Sequence, residues 1–184
     1  MDKLEYAYTQ AAMDHMFKLG PKGMQGEIWD EKGRYEVVEI LISHQPDLIN
    51  SIRFSYRTVE EKVIHSKTYG EPTGLNFDMV EFDSSSEVLT SLSGTLKDGR
   101  LASIVFGTNI RKYGPFGTTN SKSSCSPYED FEYKFKAGRF GGFHGSVVGG
   151  SVYAIGVYVK PYMVYDPDDV CDALNEDFSN QIQI

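Results

Sequence analysis

Residues 89–107 read LTSLSGTLKDGRLASIVFG, and the same pattern occurs twice more in the chain. VVEILISHQPDLINSIRFS (37–55) starts 52 residues earlier, and FGGFHGSVVGGSVYAIGVY (140–158) starts 51 residues later, each aligning without gaps. Apolar residues fall in the same columns: Val37, Leu89 and Phe140; Ile40, Leu92 and Phe143; Ile49, Leu101 and Val152; Ile52, Ile104 and Ile155; Phe54, Phe106 and Val157. Each copy reads as strand, short loop, strand. In the returning strand Ile52, Phe54 and Tyr56 alternate with Arg53, Ser55 and Arg57, the period of two that turns one face inward and the other to water. No amphipathic helical pattern occurs between residues 25 and 160. Three like units, none able to bury its apolar face alone, predict an all-β fold of three small sheets around a pseudo-threefold axis. The alternative is an ordinary β-sandwich whose internal similarity is coincidental.

Composition supports one domain with appended arms. The chain has 184 residues, of which 40% are hydrophobic, enough for a packed core. Its 18 glycines against 7 prolines, with 13% aromatic residues, suit many turns between aromatic-rich strands. A net charge of −8 without a Lys/Arg cluster argues against nucleic acid and anionic membranes as partners. No apolar run approaches the roughly 18 residues of a membrane span. The first residues, MDKLEYAYTQ, show no signal-peptide core. Cys125 and Cys171 have neither metal nor redox spacing, so free thiols in a reducing compartment are expected, cytoplasmic or nucleocytoplasmic.

Several separate motifs then appear in a specific order: GPKGMQGEIWD (20–30), EVLTSLSG (87–94), SIVFGTN (103–109), YGPFG (113–117), GGFHG (141–145) and YAIGVYVKP (153–161). Over residues 18–161 the chain resembles a jacalin-related lectin domain. The resemblance implies a β-prism of three four-stranded antiparallel sheets with pseudo-threefold symmetry. It also implies a plant-type carbohydrate-binding protein that needs no metal or other cofactor.

Lectins of this family hold a sugar between an N-terminal glycine-rich loop and a Gly-x-x-x-Asp segment before the last strand. Backbone amides at glycine tips approach sugar hydroxyls closely because no Cβ intervenes, and a carboxylate accepts two hydroxyl protons. Matching residue by residue places the segment on Gly149, Gly150, Ser151, Val152 and Tyr153, with Tyr153 where the family carries the closing Asp. Gly150 stands where mannose binders often have a further Asp. The N-terminal loop is about one residue short, and Gly26 is the nearest match to the glycine that meets the sugar. A hydrogen bond to a charged group contributes roughly 1.5–3 kcal/mol, so a site without the acid differs in kind from the family's. The expected sugar contacts are therefore Gly26 and Gly149, Gly150, Ser151, Val152 and Tyr153, for mannose-like or related glycans. The alternative is a β-prism that has lost sugar binding and acts as a protein-interaction module in plant stress or antiviral defence.

Other residues read as structural. Asp98 in LKDGR has the sequence of a hairpin turn. His144 reads as a structural residue, and Trp29 as core at the start of a strand. His15, His44 and His65 share no context. No nucleophile elbow or carboxylate motif points to an enzyme. Residues 1–17 form an arm; the helical pattern of Leu4, Ala7, Tyr8, Ala11 and Ala12 there competes with a frayed tail. Residues 162–184 form an acidic extension. Asp166 and Pro167 make a helix-start signature with Val170, Ala173, Leu174 and Phe178 on one stripe, against which stands a solvated tail. Family habit and free strand edges also point to a homo-oligomer.

Overall fold

A computed structural model describes residues 16–21, 23–32, 36–58, 60–83, 86–117, 127–135 and 138–161. The helical readings of the N-terminal arm and the C-terminal extension, and both cysteines, lie outside the described residues. Thirteen strands run in chain order: β1 (Phe17–Leu19), β2 (Glu27–Glu31), β3 (Glu36–Gln45), β4 (Leu48–Arg57), β5 (Val63–His65), β6 (Tyr69–Gly70), β7 (Asn76–Glu81), β8 (Leu89–Lys97), β9 (Arg100–Thr108), β10 (Lys112–Gly117), β11 (Tyr128–Lys134), β12 (Gly138–Val148) and β13 (Ser151–Pro161). Among the described residues there is no helix.

The strands form three antiparallel sheets, ordered β1-β13-β12-β2, β5-β4-β3-β7 and β10-β9-β8-β11. In the second, β5 pairs with β4 at Ser55–Arg57 and β6 at Ser51–Ile52, so the two short strands are one interrupted outer strand. Three sheets of four strand positions make the β-prism that the repeats predict, and exclude a sandwich.

The repeat is obeyed down to its irregularities. Each central hairpin has two register shifts, at Val37/Glu39 and Ser43/His44, at Leu89/Ser91 and Thr95/Leu96, and at Phe140/Gly142 and Ser146/Val147. The second shift of each leaves one unpaired residue on the returning strand: Asn50, Ala102 and Tyr153. A bulge of this kind bends the strand and re-aims a side chain. Each hairpin then closes with a two-residue turn, at 46–47, 98–99 and 149–150.

All fifteen residues of the five repeated apolar columns are buried. On the axis, one aromatic ring from each sheet meets the others. Phe143 stacks on Phe54 with centroids 4.2 Å apart and 8° between planes, and it meets Phe106 edge-on at 6.4 Å and 85°. Burying each such side chain stabilises the fold by about 1.5–3 kcal/mol. The prism corners are where the edges of neighbouring sheets meet. Trp29 of β2 stacks on Tyr69 of β6 at 4.3 Å, and Tyr113 of β10 meets Phe82, just after β7, edge-on at 5.5 Å. Trp29 is thus core, 6% exposed, as its sequence position suggests.

Candidate functional site

The glycine pair that ends GSVVGG is first of all a turn. Gly149 and Gly150 have φ of 57° and 75°, the double left-handed pair of a tight two-residue hairpin loop. Asp98 and Gly99 repeat it with φ of 52° and 74°, so Asp98 is the turn residue its sequence indicates. Gly149 is exposed, with nothing within 4 Å of where a Cβ would stand.

Two other segments flank this tip. From one side comes the loop after β1. Gly26, at φ 78°, lies so close to the third hairpin that a Cβ would overlap the Val147 carbonyl oxygen. From the other side, the Glu71 amide donates to the Gly150 carbonyl at 2.7 Å. The exposed Glu71 carboxylate lies over Gly150, its Cδ 2.8 Å from the place a Cβ would take. The stretch without an acid of its own is therefore given one by a loop from the neighbouring sheet. Sequence reading did not identify Glu71, which is outside the repeats and far from the hairpin in sequence.

The expected sugar-contact residues divide accordingly. Gly26, Gly149 and Gly150 come together at the tip. Ser151 is 7% exposed and Val152 fully buried in the core, so neither presents its side chain there and only their main chains remain. Alternation explains this, since Val152 occupies a column that is apolar in all three repeats. Tyr153, the bulge residue, is half-buried and points sideways. The Arg100 guanidinium stands 6.0 Å from its ring centroid, within cation–π range. Tyr153 also lines a groove of about 680 Å³, together with Gly23, Met24 and Gln25 of the N-terminal loop and strand β11.

Polar groups around the site are mostly structural. At the tip of the first hairpin Lys97 donates to Asp47 at 2.5 Å and Tyr128 to the same carboxylate at 2.7 Å. The Lys97 hydrogen bond, ahead of the opposing effect of burial, holds the Asp47 carboxyl below its ordinary range. Beneath the candidate site, His144 is 1% exposed, with Nε2 3.1 Å from the Leu19 carbonyl oxygen. Burial pushes its pKa down, so the imidazole is neutral and donates to that carbonyl. Asp30 accepts from Tyr158 at 2.6 Å and from Lys18 at 3.0 Å. Burial raises its pKa, but these two bonds outweigh it and the net shift is downward. Among the described residues no group of three or more His, Cys, Asp or Glu side chains is arranged to hold a metal ion.

A bare turn pressed against a glycine-bearing loop offers main-chain amides, with a carboxylate on one flank and an aromatic ring on the other. Donors, an acceptor and a ring face are the groups that pair with the hydroxyls and apolar side of a sugar. Known proteins with this sequence pattern and fold place the chain in a family. Residues 19–158 match the family model of the Jacalin-like lectin domain. Jacalin-related lectin 2 of Arabidopsis thaliana is 32% identical over 168 residues, covering 83% of this chain and 90% of its own. The Arabidopsis thaliana protein RESTRICTED TEV MOVEMENT 1 is 32% identical over 170 residues, covering 85% and 94%. Among solved structures, a mannose binding jacalin related lectin from Ananas comosus superposes with a TM-score of 0.65 at 28% identity, covering 80% of this chain and 99% of that one. The chain belongs to the jacalin-like lectin family.

Proposed function

We propose that this protein binds mannose-like glycans, without catalysis, at the tip of the third hairpin. The contact between Gly26 and Val147, which brings the N-terminal loop against the Gly149–Gly150 turn, carries this reading. Main-chain amides of the turn donate to sugar hydroxyls, the Glu71 carboxylate accepts from them, and the Tyr153 ring offers a face to the apolar side of the sugar. The mannose binding of the Ananas comosus relative gives the ligand class. Free strand edges other than the acidic β11 support a homo-oligomer.

Retention on mannose resin and a glycan array test the reading. Wild type is retained, and Gly150→Val, which strains a residue at φ 75° and displaces Glu71, abolishes retention. Glu71→Gln weakens it by about tenfold, the equivalent of 1.4 kcal/mol.

One observation favours a second reading, a β-prism that acts as a protein-interaction module in plant stress or antiviral defence. The bulge position holds Tyr153, engaged by Arg100, instead of an acid. The name of the relative RESTRICTED TEV MOVEMENT 1 suits that role. Silent wild type together with a gain of mannose retention in Tyr153→Asp decides for this reading and against the first.

A further inference from the structure

Two of the three prism corners are closed by aromatic contacts, Trp29 on Tyr69 and Tyr113 on Phe82. The third, where β11 faces the sheet of β1 and β13, is different. Tyr133 packs against Gly20, and beside that contact the corner opens into the groove of about 680 Å³. Its volume is within the range of sites that enclose organic ligands.

Five successive residues of β11, Glu129 to Tyr133, line this groove. A strand that offered a face would contribute alternate residues; a continuous run means that its edge forms the wall. That edge is open. Tyr128–Lys134 pair with β8 on one side, and among the described residues no strand pairs with β11 on the other. An open edge presents unpaired N–H and C=O groups, a template for one more strand. The opposite wall is Met24 and Gln25 of the N-terminal loop with Tyr153 to Ile155 of β13. There β13 also lacks a neighbour, because β1 covers only Val157–Val159.

The charge of the groove limits what it takes. The Glu129, Asp130 and Glu132 side chains are exposed, with no hydrogen bond or ion pair among the described residues, and the described lining contains no lysine or arginine. Of the neighbouring cations, Lys97 is engaged by Asp47 and Arg100 by the Tyr153 ring, and Lys134 at the end of β11 leaves the edge with three acids against one base. A second copy would bring the same three acids to this edge and be repelled. Residues 162–184 carry six acids and no base, and residues 1–15 carry three acids and one lysine, so neither end of the chain complements the groove.

We propose that the groove binds an extended, arginine- or lysine-bearing peptide segment of a partner protein, added as a fifth strand to the free edge of β11. Main-chain hydrogen bonds to Glu129–Tyr133 supply register, and the three carboxylates select basic side chains. This function is distinct from glycan binding at the hairpin tip, although Tyr153 borders both sites.

The test uses the full chain and a fluorescein-labelled peptide of about seven residues, alternating arginine with valine or threonine, read by fluorescence anisotropy. Three outcomes are expected. The arginine peptide binds saturably, and its counterpart with glutamate for arginine does not. The triple variant Glu129→Gln, Asp130→Asn, Glu132→Gln, which changes only exposed side chains and keeps the wild-type melting curve, binds at least tenfold more weakly. A peptide N-methylated at alternate residues, on the edge that would face β11, loses binding despite its unchanged charge. No binding by the arginine peptide overturns the proposal, as does equal binding by the triple variant or by the N-methylated peptide. Mannose-resin retention of the same triple variant reports on the glycan reading independently.

Discussion

The tips of the first and third hairpins have the same backbone plan and opposite side-chain chemistry. Both close with a two-residue turn beyond a bulge at the same repeat position. At the first, Asp47 is tied to Lys97 and Tyr128 of the next sheet, and the bulge residue Asn50 is buried at 5% exposure, 3.4 Å from the Thr73 hydroxyl. At the third, the space where a Gly149 side chain would stand is empty, and the bulge residue Tyr153 faces a groove. The difference shows what each level of structure controls. The apolar columns fix the bulge and the two-residue loop length in all three hairpins, while the residues placed there decide the turn conformation and whether a tip is cross-linked to its neighbour or left available.

The largest blow to this comparison is Phe143→Ala. It removes the ring that stacks on Phe54 and meets Phe106, so all three hairpins lose support together, with an expected loss of about 3–5 kcal/mol in urea unfolding. A smaller effect, confined to the first tip, follows from Asp47→Ala. It strands Lys97 and Tyr128 and lowers the melting temperature without altering mannose retention. Below that stands a pH effect on the third sheet. Burial holds the folded His144 pKa under its ordinary 6.5, so under acid the unfolded chain binds the proton first. This contribution to stability is complete above that pH and declines as pH falls from about 6.5; His144→Leu flattens the slope of melting temperature against pH in that window. The smallest effect is Gly149→Asp, expected within about 1 kcal/mol of wild type, because aspartate tolerates left-handed geometry and the space is empty.

Much of the fold was legible because the core repeats. Columns such as Ile40, Leu92 and Phe143 record a packing demand made three times, and every such residue is buried. The bulges were legible too, though less directly. Val37 to Ile40 and Ile49 to Ile52 are three apart, and a regular strand does not place both on one face without an extra residue. The site was harder to read. A motif marks Gly26 and the 149–150 turn, and the structure brings the two together. Val152 was assigned to the sugar although its own column is core. Glu71 carries no local signal: its place over Gly150 results from how two sheets meet at a corner, which a linear pattern does not encode.

The pairing of Phe17–Leu19 with Val157–Val159 has a consequence for how the molecule comes to be. The sheets spanning 36–81 and 89–134 each draw on one continuous stretch of chain, so their contacts can form while synthesis is still under way. The remaining sheet must wait for its latest-made hairpin to emerge from the ribosome before the earliest-made segment has anything to pair with. That sheet is thus completed last, and a chain stopped before Ser151 would have two finished faces and lack the third.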